Sequence, residues 1–168
     1  WNDSYRRRPL RNDYSITPEN NTRMATAAEA EYPEECCGLL FRGPAGSEVV
    51  PIPNLQNRLH EENPETYKRD ARTAYFMDPQ EVERLSTEKK AGGMELEAIF
   101  HSHPDVESYF SETDSEAAAV FGEPNYPGVV YLVYSVVAGK VADLKAFDWS
   151  GTEKRYTEVP LEIEDPGT

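Results

Sequence analysis

The chain is predicted to fold as an α/β domain in which helices cover a mixed β-sheet. Three observations carry this. Candidate strands and helices interleave along the chain with no internal repeat. The stretch Val129–Val137 is almost continuously apolar and aromatic, as a central strand buried on both faces must be. A length of 168 residues supports one sizeable core, and is short for two.

The elements follow in order. Tyr14-Ser15-Ile16 reads as a short edge strand. Thr17-Pro18 supplies a helix N-cap and a first-turn proline, and an alanine-rich helix runs to about Glu31 before Pro33 stops it. Cys36–Phe41 and Ser47–Ile52 form a hairpin around Gly43-Pro44-Ala45-Gly46. Asn54 to Lys68 is polar and aperiodic, so it reads as a long loop, and loops of that length are usually functional or disordered. Thr73–Met77 returns to strand character. Asp78-Pro79-Gln80-Glu81 opens a second helix as a capping box, and Gly92-Gly93 closes it. Glu95–Phe100 is a strand. A helix begins at Ser111 and stops near Gly122 and Pro124. After the central strand, Val141–Trp149 pairs with it across Ala138-Gly139-Lys140, and Arg155–Ile163 adds an alternating edge.

Chemistry concentrates at His101-Ser102-His103-Pro104, followed seven positions later by Ser111-Glu112-Thr113-Asp114. Residues two apart on a strand face the same way, so His101 and His103 aim together while Ser102 looks away. Pro104 cannot donate to the ladder, so the chain should leave the sheet there. Ser111 is a good N-cap, which puts Asp114 at the third helical position. Strand end, loop and helix start thus deliver two nitrogens and one oxygen to one point. Three protein ligands with an open fourth position are the pattern of a catalytic zinc (Zn2+) site. Each piece has an ordinary reading alone: Ser-x-x-Asp is a common capping box, and a histidine on a strand is commonly a core residue. Their coincidence in a chain with three histidines carries the metal reading. The third, His60, sits among Glu61 and Glu62 and reads as solvent-exposed. Asp105 and Glu107 read as rim residues of the site.

The segment Tyr32-Pro33-Glu34-Glu35-Cys36-Cys37-Gly38-Leu39-Leu40, together with His101-Ser102-His103-Pro104 and Ser111-x-x-Asp114, resembles the JAMM (MPN-plus, or JAB-domain) metalloproteases. The resemblance runs from about Ile16 to Ile163. It includes Phe76-Met77-Asp78-Pro79, Leu96–Phe100 and Tyr126-Pro127-Gly128. It departs at Phe110, where many relatives carry proline, which leaves the shape of that loop open. The resemblance implies a three-layer α-β-α sandwich with a mixed, curved sheet of the cytidine-deaminase-like kind. It implies that Glu35 is the general base, with Glu34 the lesser alternative, and that the Ser111 hydroxyl stabilises the oxyanion. It further implies cleavage of an amide or isopeptide bond after the C-terminal Gly-Gly-type tail of a ubiquitin-like or sulfur-carrier protein. The tail would bind as an added strand, with the 54–68 loop as a flap over it. The compact form looks closer to prokaryotic stand-alone enzymes than to subunits of large complexes, and a homodimer is compatible with it. The rival within the same fold is a non-catalytic scaffold or binding module, but such relatives typically lack one or more of these ligands. A deaminase is disfavoured, because its paired cysteines are spaced around a turn whereas Cys36 and Cys37 are adjacent.

Composition sets the remaining bounds. The formal net charge is −14. Residues 1–13 hold four arginines and two acids and read as a flexible basic arm. Beyond them 13 basic residues face 29 acidic ones, a net of −16 over the domain expected at 14–168. Such a surface repels phosphate backbones and argues against nucleic-acid binding, including that of a DNA-repair relative sharing the His-x-His-Pro stretch. No apolar run is long enough to span a membrane. Arg6-Arg7-Arg8 is not followed by the hydrophobic region that a twin-arginine signal needs. Adjacent Cα atoms lie ~3.8 Å apart, too close for an ordinary Cys36–Cys37 disulfide. Two free thiols point to a reducing, cytoplasmic setting.

Overall fold

A computed structural model describes residues 9–165. Its main sheet has six strands in the order β3-β2-β4-β7-β8-β9. These are β2 (Cys37–Gly43), β3 (Gly46–Ile52), β4 (Glu95–Pro104), β7 (Val130–Val137), β8 (Lys140–Ser150) and β9 (Arg155–Val159). Two-residue strands β5 (Ala119–Val120) and β6 (Glu123–Pro124) pair separately, and β1 (Tyr14–Ile16) runs parallel to β10 (Leu161–Ile163). Within the main sheet only β4 and β7 are parallel, so the sheet is mixed, as predicted.

Alternation along the strands splits the core into two layers. Leu40, Ala98, Phe100, Leu132 and Tyr134 face one side, where Met24 and Ala28 of helix α1 (Pro18–Glu31) cover them. Leu39, Phe41, Ile99, Tyr131 and Val133 face the other, against Val82 and Leu85 of helix α3 (Pro79–Ala91). A sheet covered on both faces needs apolar residues at every position of its middle strands, which explains the unbroken run in β7. Helix α2 (Gln56–Glu62) and helix α4 (Glu112–Ala118) complete the described helices. Gly38 is required by close approach: a Cβ there would meet the Phe100 ring and stand 2.8 Å from the Val50 carbonyl oxygen.

The caps follow the sequence. Thr17 accepts from the Asn20 amide at 3.1 Å, and Asp78 accepts from Gln80 at 3.0 Å. The expected 1–13 arm lies outside the described residues for 1–8, whereas Leu10 packs on the core and Arg11 pairs with Asp148 at 3.2 Å.

Several expectations are corrected. Asn54–Lys68 is not all loop, because it contains α2. That helix was hidden because Gln56 is its one buried residue, which leaves no apolar period to detect. Thr73–Met77 is not a strand: Phe76 exchanges its backbone bonds with Asn54 and Leu55 instead of a ladder. The last segment is two strands. Pro160 divides it, and its carbonyl accepts from Tyr14 as the chain crosses to β1. Pro104 remains in register with Val136, and the chain turns at Asp105, whose φ is +58°.

Candidate metal centre

β4 leaves the sheet beside β7 at the carboxyl ends of the main sheet's one parallel pair, the place where open α/β sheets hold their ligands. His101 and His103 continue the Ile99 face of β4, with ring centroids 5.1 Å apart. Ser102 turns to the opposite face, where its Oγ accepts the Cys36 amide at 2.8 Å. This bond ties β4 to the segment bearing Glu35. Asp114 arrives from the first turn of α4. Its Oδ2 accepts the Ser111 amide at 3.0 Å, and the Ser111 Oγ accepts the Asp114 amide at 3.0 Å, a complete capping box.

The intervening loop is pinned at several points. Ser108 donates to Asp143 at 2.8 Å, and Ser135 donates to the Val106 carbonyl at 2.7 Å. Phe110 fills an aromatic pocket with Tyr131, Phe147 and Tyr156, with centroids 5.2–5.3 Å away. Asp105 and Glu107 do not line the cleft. Asp105 caps the Ala138 amide and accepts the Tyr32 hydroxyl at 2.6 Å, while the Glu107 carbonyl holds His103. His60 is half-buried rather than exposed, with Nδ1 2.6 Å from the Tyr67 carbonyl.

Glu35, His101, His103 and Asp114 converge, all buried, with one donor atom from each within 4.8 Å of the others. Ser111 lies beside them on the wall of a cleft of about 600 Å³, which Glu35 and His103 also line. Glu34 turns away and accepts from Asn57 at 3.0 Å. A hollow of about 710 Å³ at the other end of the sheet offers Arg11 and Arg42, but these are already paired with Asp148 and Glu97.

The donor set fits a divalent cation. His103 Nδ1 lies 2.9 Å from the Glu107 carbonyl, which can only accept, so Nδ1 carries the proton and Nε2 presents a lone pair. That lone pair faces Asp114 Oδ2 at 3.1 Å. Two acceptors stay so close only with a cation or a shared proton between them. His101 Nε2 stands 3.1 Å from the same oxygen but out of hydrogen-bonding alignment, and both its ring nitrogens are buried without hydrogen-bond partners. Tetrahedral ligands at about 2.0–2.1 Å from zinc are separated by about 3.3 Å, close to these spacings. Tyr75 stacks on the His101 ring at 4.5 Å and fixes its plane.

The electrostatics agree. Burial raises the Asp114 carboxyl, but both imidazoles outweigh it and hold the group well below the usual carboxylate range. Burial lowers His103, and Asp114 with the Glu107 carbonyl more than restores it. Burial and the Asp114 charge push Glu35 up to about 9, opposed by Arg69. Glu35 Oε1 is buried and unpartnered. A cation beside these two carboxylates would offset their repulsion.

Sequence reasoning missed Asn54, Tyr75, Arg69 and Arg72. Asn54 donates to the carbonyls of Glu35 (3.0 Å) and Ala74 (3.2 Å) and accepts from the Gln56 and Phe76 amides (3.0 Å each). It clamps the Glu35 segment to the segment that bears Tyr75. Only its cap of Gln56 is local. The bonds to Glu35, Ala74 and Phe76 span 19–22 residues, so no short motif could mark them. Asn54→Asp removes both donors and sets a charge against two carbonyls. It is expected to lower stability by about 2–4 kcal/mol, read as a denaturation midpoint. The cleft wall comes from Arg69, Arg72 and Thr73, just beyond the segment expected to form a flap.

Comparisons with known proteins give a consistent picture. The family model described as prokaryotic homologs of the JAB domain matches residues 18–150. A protein named desampylase from Haloferax volcanii is 28% identical over 139 residues, covering 80% of this chain and 84% of its own. Two structures solved in solution share the fold. One, from Desulfitobacterium hafniense, has a TM-score of 0.66 at 22% identity, covering 90% of this chain and 93% of its own. The other, from Salinibacter ruber, has a TM-score of 0.57 at 19% identity, covering 92% and 93%.

Proposed function

This chain belongs to the prokaryotic JAB-domain family, and from that membership we propose that it is a zinc-dependent hydrolase. Its reaction is cleavage of an amide or isopeptide bond that follows the C-terminal tail of a ubiquitin-like or sulfur-carrier protein. The convergence of Glu35, His101, His103 and Asp114 at the floor of an open cleft carries this reading. The relative named desampylase supports a ubiquitin-like substrate.

His101 Nε2, His103 Nε2 and Asp114 Oδ2 would hold the metal. Zinc held there would supply a Lewis acid able to polarise a carbonyl and to lower the pKa of water to about 7. The chain's own groups do the rest. Glu107 fixes the tautomer of His103, and Tyr75 fixes the plane of His101. The Ser102–Cys36 bond and the Asn54 clamp hold Glu35 at the site. Glu35 takes a proton from the attacking water at its carboxylate and passes it to the departing amine. The Ser111 Oγ already accepts from the Asp114 amide, so its own proton is free to meet the oxyanion of the tetrahedral carbon. A scaffold has no use for the unpartnered Glu35 and His101 atoms, which favours the catalytic reading.

Two measurements test this. A ubiquitin-like carrier fused through Gly-Gly to a peptide should be cut by zinc-loaded protein and left intact after chelation; a fusion that stays whole across carriers would contradict the reading. Ser111→Ala should lose about 10²-fold in turnover. The lost cap should also cost about 1 kcal/mol of stability. Ser111→Thr, which keeps the hydroxyl, should recover most of both.

A further inference from the structure

The cleft is lined by groups of both charges. Glu112 and Glu116 come from α4, and Arg69, Arg72 and Thr73 come from the segment after α2, together with Glu35 and His103. Arg72 is already engaged, since its amide and guanidinium both bind Asp70, at 2.9 and 3.2 Å. Among the described residues, Arg69 makes no ion pair and no side-chain hydrogen bond. Its backbone, by contrast, is firmly held. The Arg69 carbonyl accepts from the buried Gln56 Nε2 at 2.9 Å. Two residues later, the Ala71 amide donates to Asn57 Oδ1 at 2.8 Å and the Ala71 carbonyl accepts from the Glu35 amide at 2.7 Å. The fold therefore presents one uncommitted guanidinium at the mouth of the site, two residues from a direct tie to Glu35.

Building on the proposed hydrolase, we propose that Arg69 is a specificity-determining residue that binds a carboxylate of the substrate beside the scissile bond. A guanidinium offers a planar fork of donors that matches a carboxylate, and Glu112 and Glu116 in the same cleft repel that group, which favours its placement at Arg69. Two sources supply this chemistry: the α-carboxylate of a single-residue leaving group, or an acidic side chain in the carrier tail.

Three tail peptides separate them: one ending Gly-Gly-Ala as the free acid, one ending Gly-Gly-Ala as the carboxamide, and one carboxamide with Glu placed just before Gly-Gly. Zinc-loaded wild type is expected to cleave one carboxylate-bearing peptide with kcat/KM about 10-fold above the plain carboxamide, the magnitude of one charge-assisted contact at a solvent-exposed site. Arg69→Gln should bring that ratio close to one, over and above any loss common to all three peptides from removing its charge beside Glu35, and Arg69→Lys should keep part of it. A preference for the free acid assigns the leaving group, and a preference for the Glu peptide assigns the tail. Equal cleavage of all three by wild type overturns the proposal. So does an equal loss on all three in Arg69→Gln, which would mean that Arg69 acts only through its charge on Glu35. Failure of wild type to cleave any of the peptides or a carrier fusion would instead sink the hydrolase reading itself.

Discussion

Replacing Glu35 with Gln is expected to leave one zinc bound per chain and to lower turnover on a carrier fusion by about 10²–10⁴-fold. Gln keeps the shape and the backbone ties to Asn54 and Ala71, so the cleft should remain. What disappears is the group that accepts the proton. The variant has a second consequence in metal-free protein, where Glu35 is raised from 4.5 to about 9. The folded state then retains a proton that the unfolded chain has released. Metal-free wild type should therefore lose stability relative to Glu35→Gln as pH rises from about 4.5 towards 9. Melting temperatures of the two chelated proteins across that window give the sign directly. Full turnover by Glu35→Gln would move the base elsewhere, with Glu34 the next residue to replace.

Asp114 carries two roles on one side chain, and two substitutions separate them. Asp114→Ala removes the acceptor of the Ser111 amide and the counter-charge shared by His101 and His103. It is expected to lose the metal, to fall to background activity, and to melt lower by the worth of a lost cap, about 1 kcal/mol, together with whatever the imidazoles lose. Asp114→Asn keeps a carbonyl oxygen for the cap but cannot carry the charge. It should fold with most of the wild-type stability and still fail to hold zinc in stoichiometric amount. Retention of one tight zinc by both variants would show that this carboxyl is not a ligand.

Much of the candidate site was legible because His101, His103 and Asp114 obey short local rules. The period of two put His101 and His103 on one face, and Ser111-x-x-Asp114 set a carboxylate in the first helical turn. Helix caps at Thr17 and Asp78 and the apolar β7 run were legible for the same reason. Glu35 was reached through family resemblance, since nothing local distinguishes it from Glu34. Its burial does so only after β2 and β4 pair and Ser102 reaches Cys36. The features that escaped are built from long-range contacts on aperiodic sequence. Helix α2 has one buried residue, and Asn54 joins two segments that each lie about twenty residues from it. Arg69 and Arg72 become cleft residues only because Gln56 and Asn57 hold their segment against Glu35. Pro160 was visible, but its effect depends on β1 lying beside β10.

The most direct measurement is a crystal structure of zinc-loaded protein with anomalous data collected at the zinc edge. The account predicts a single peak bonded to His101 Nε2, His103 Nε2 and Asp114 Oδ2, with the Glu35 carboxylate close by and the fourth position facing the cleft. An ordered site lacking that peak, or a peak held by other side chains while His101 and His103 hydrogen-bond elsewhere, would contradict it.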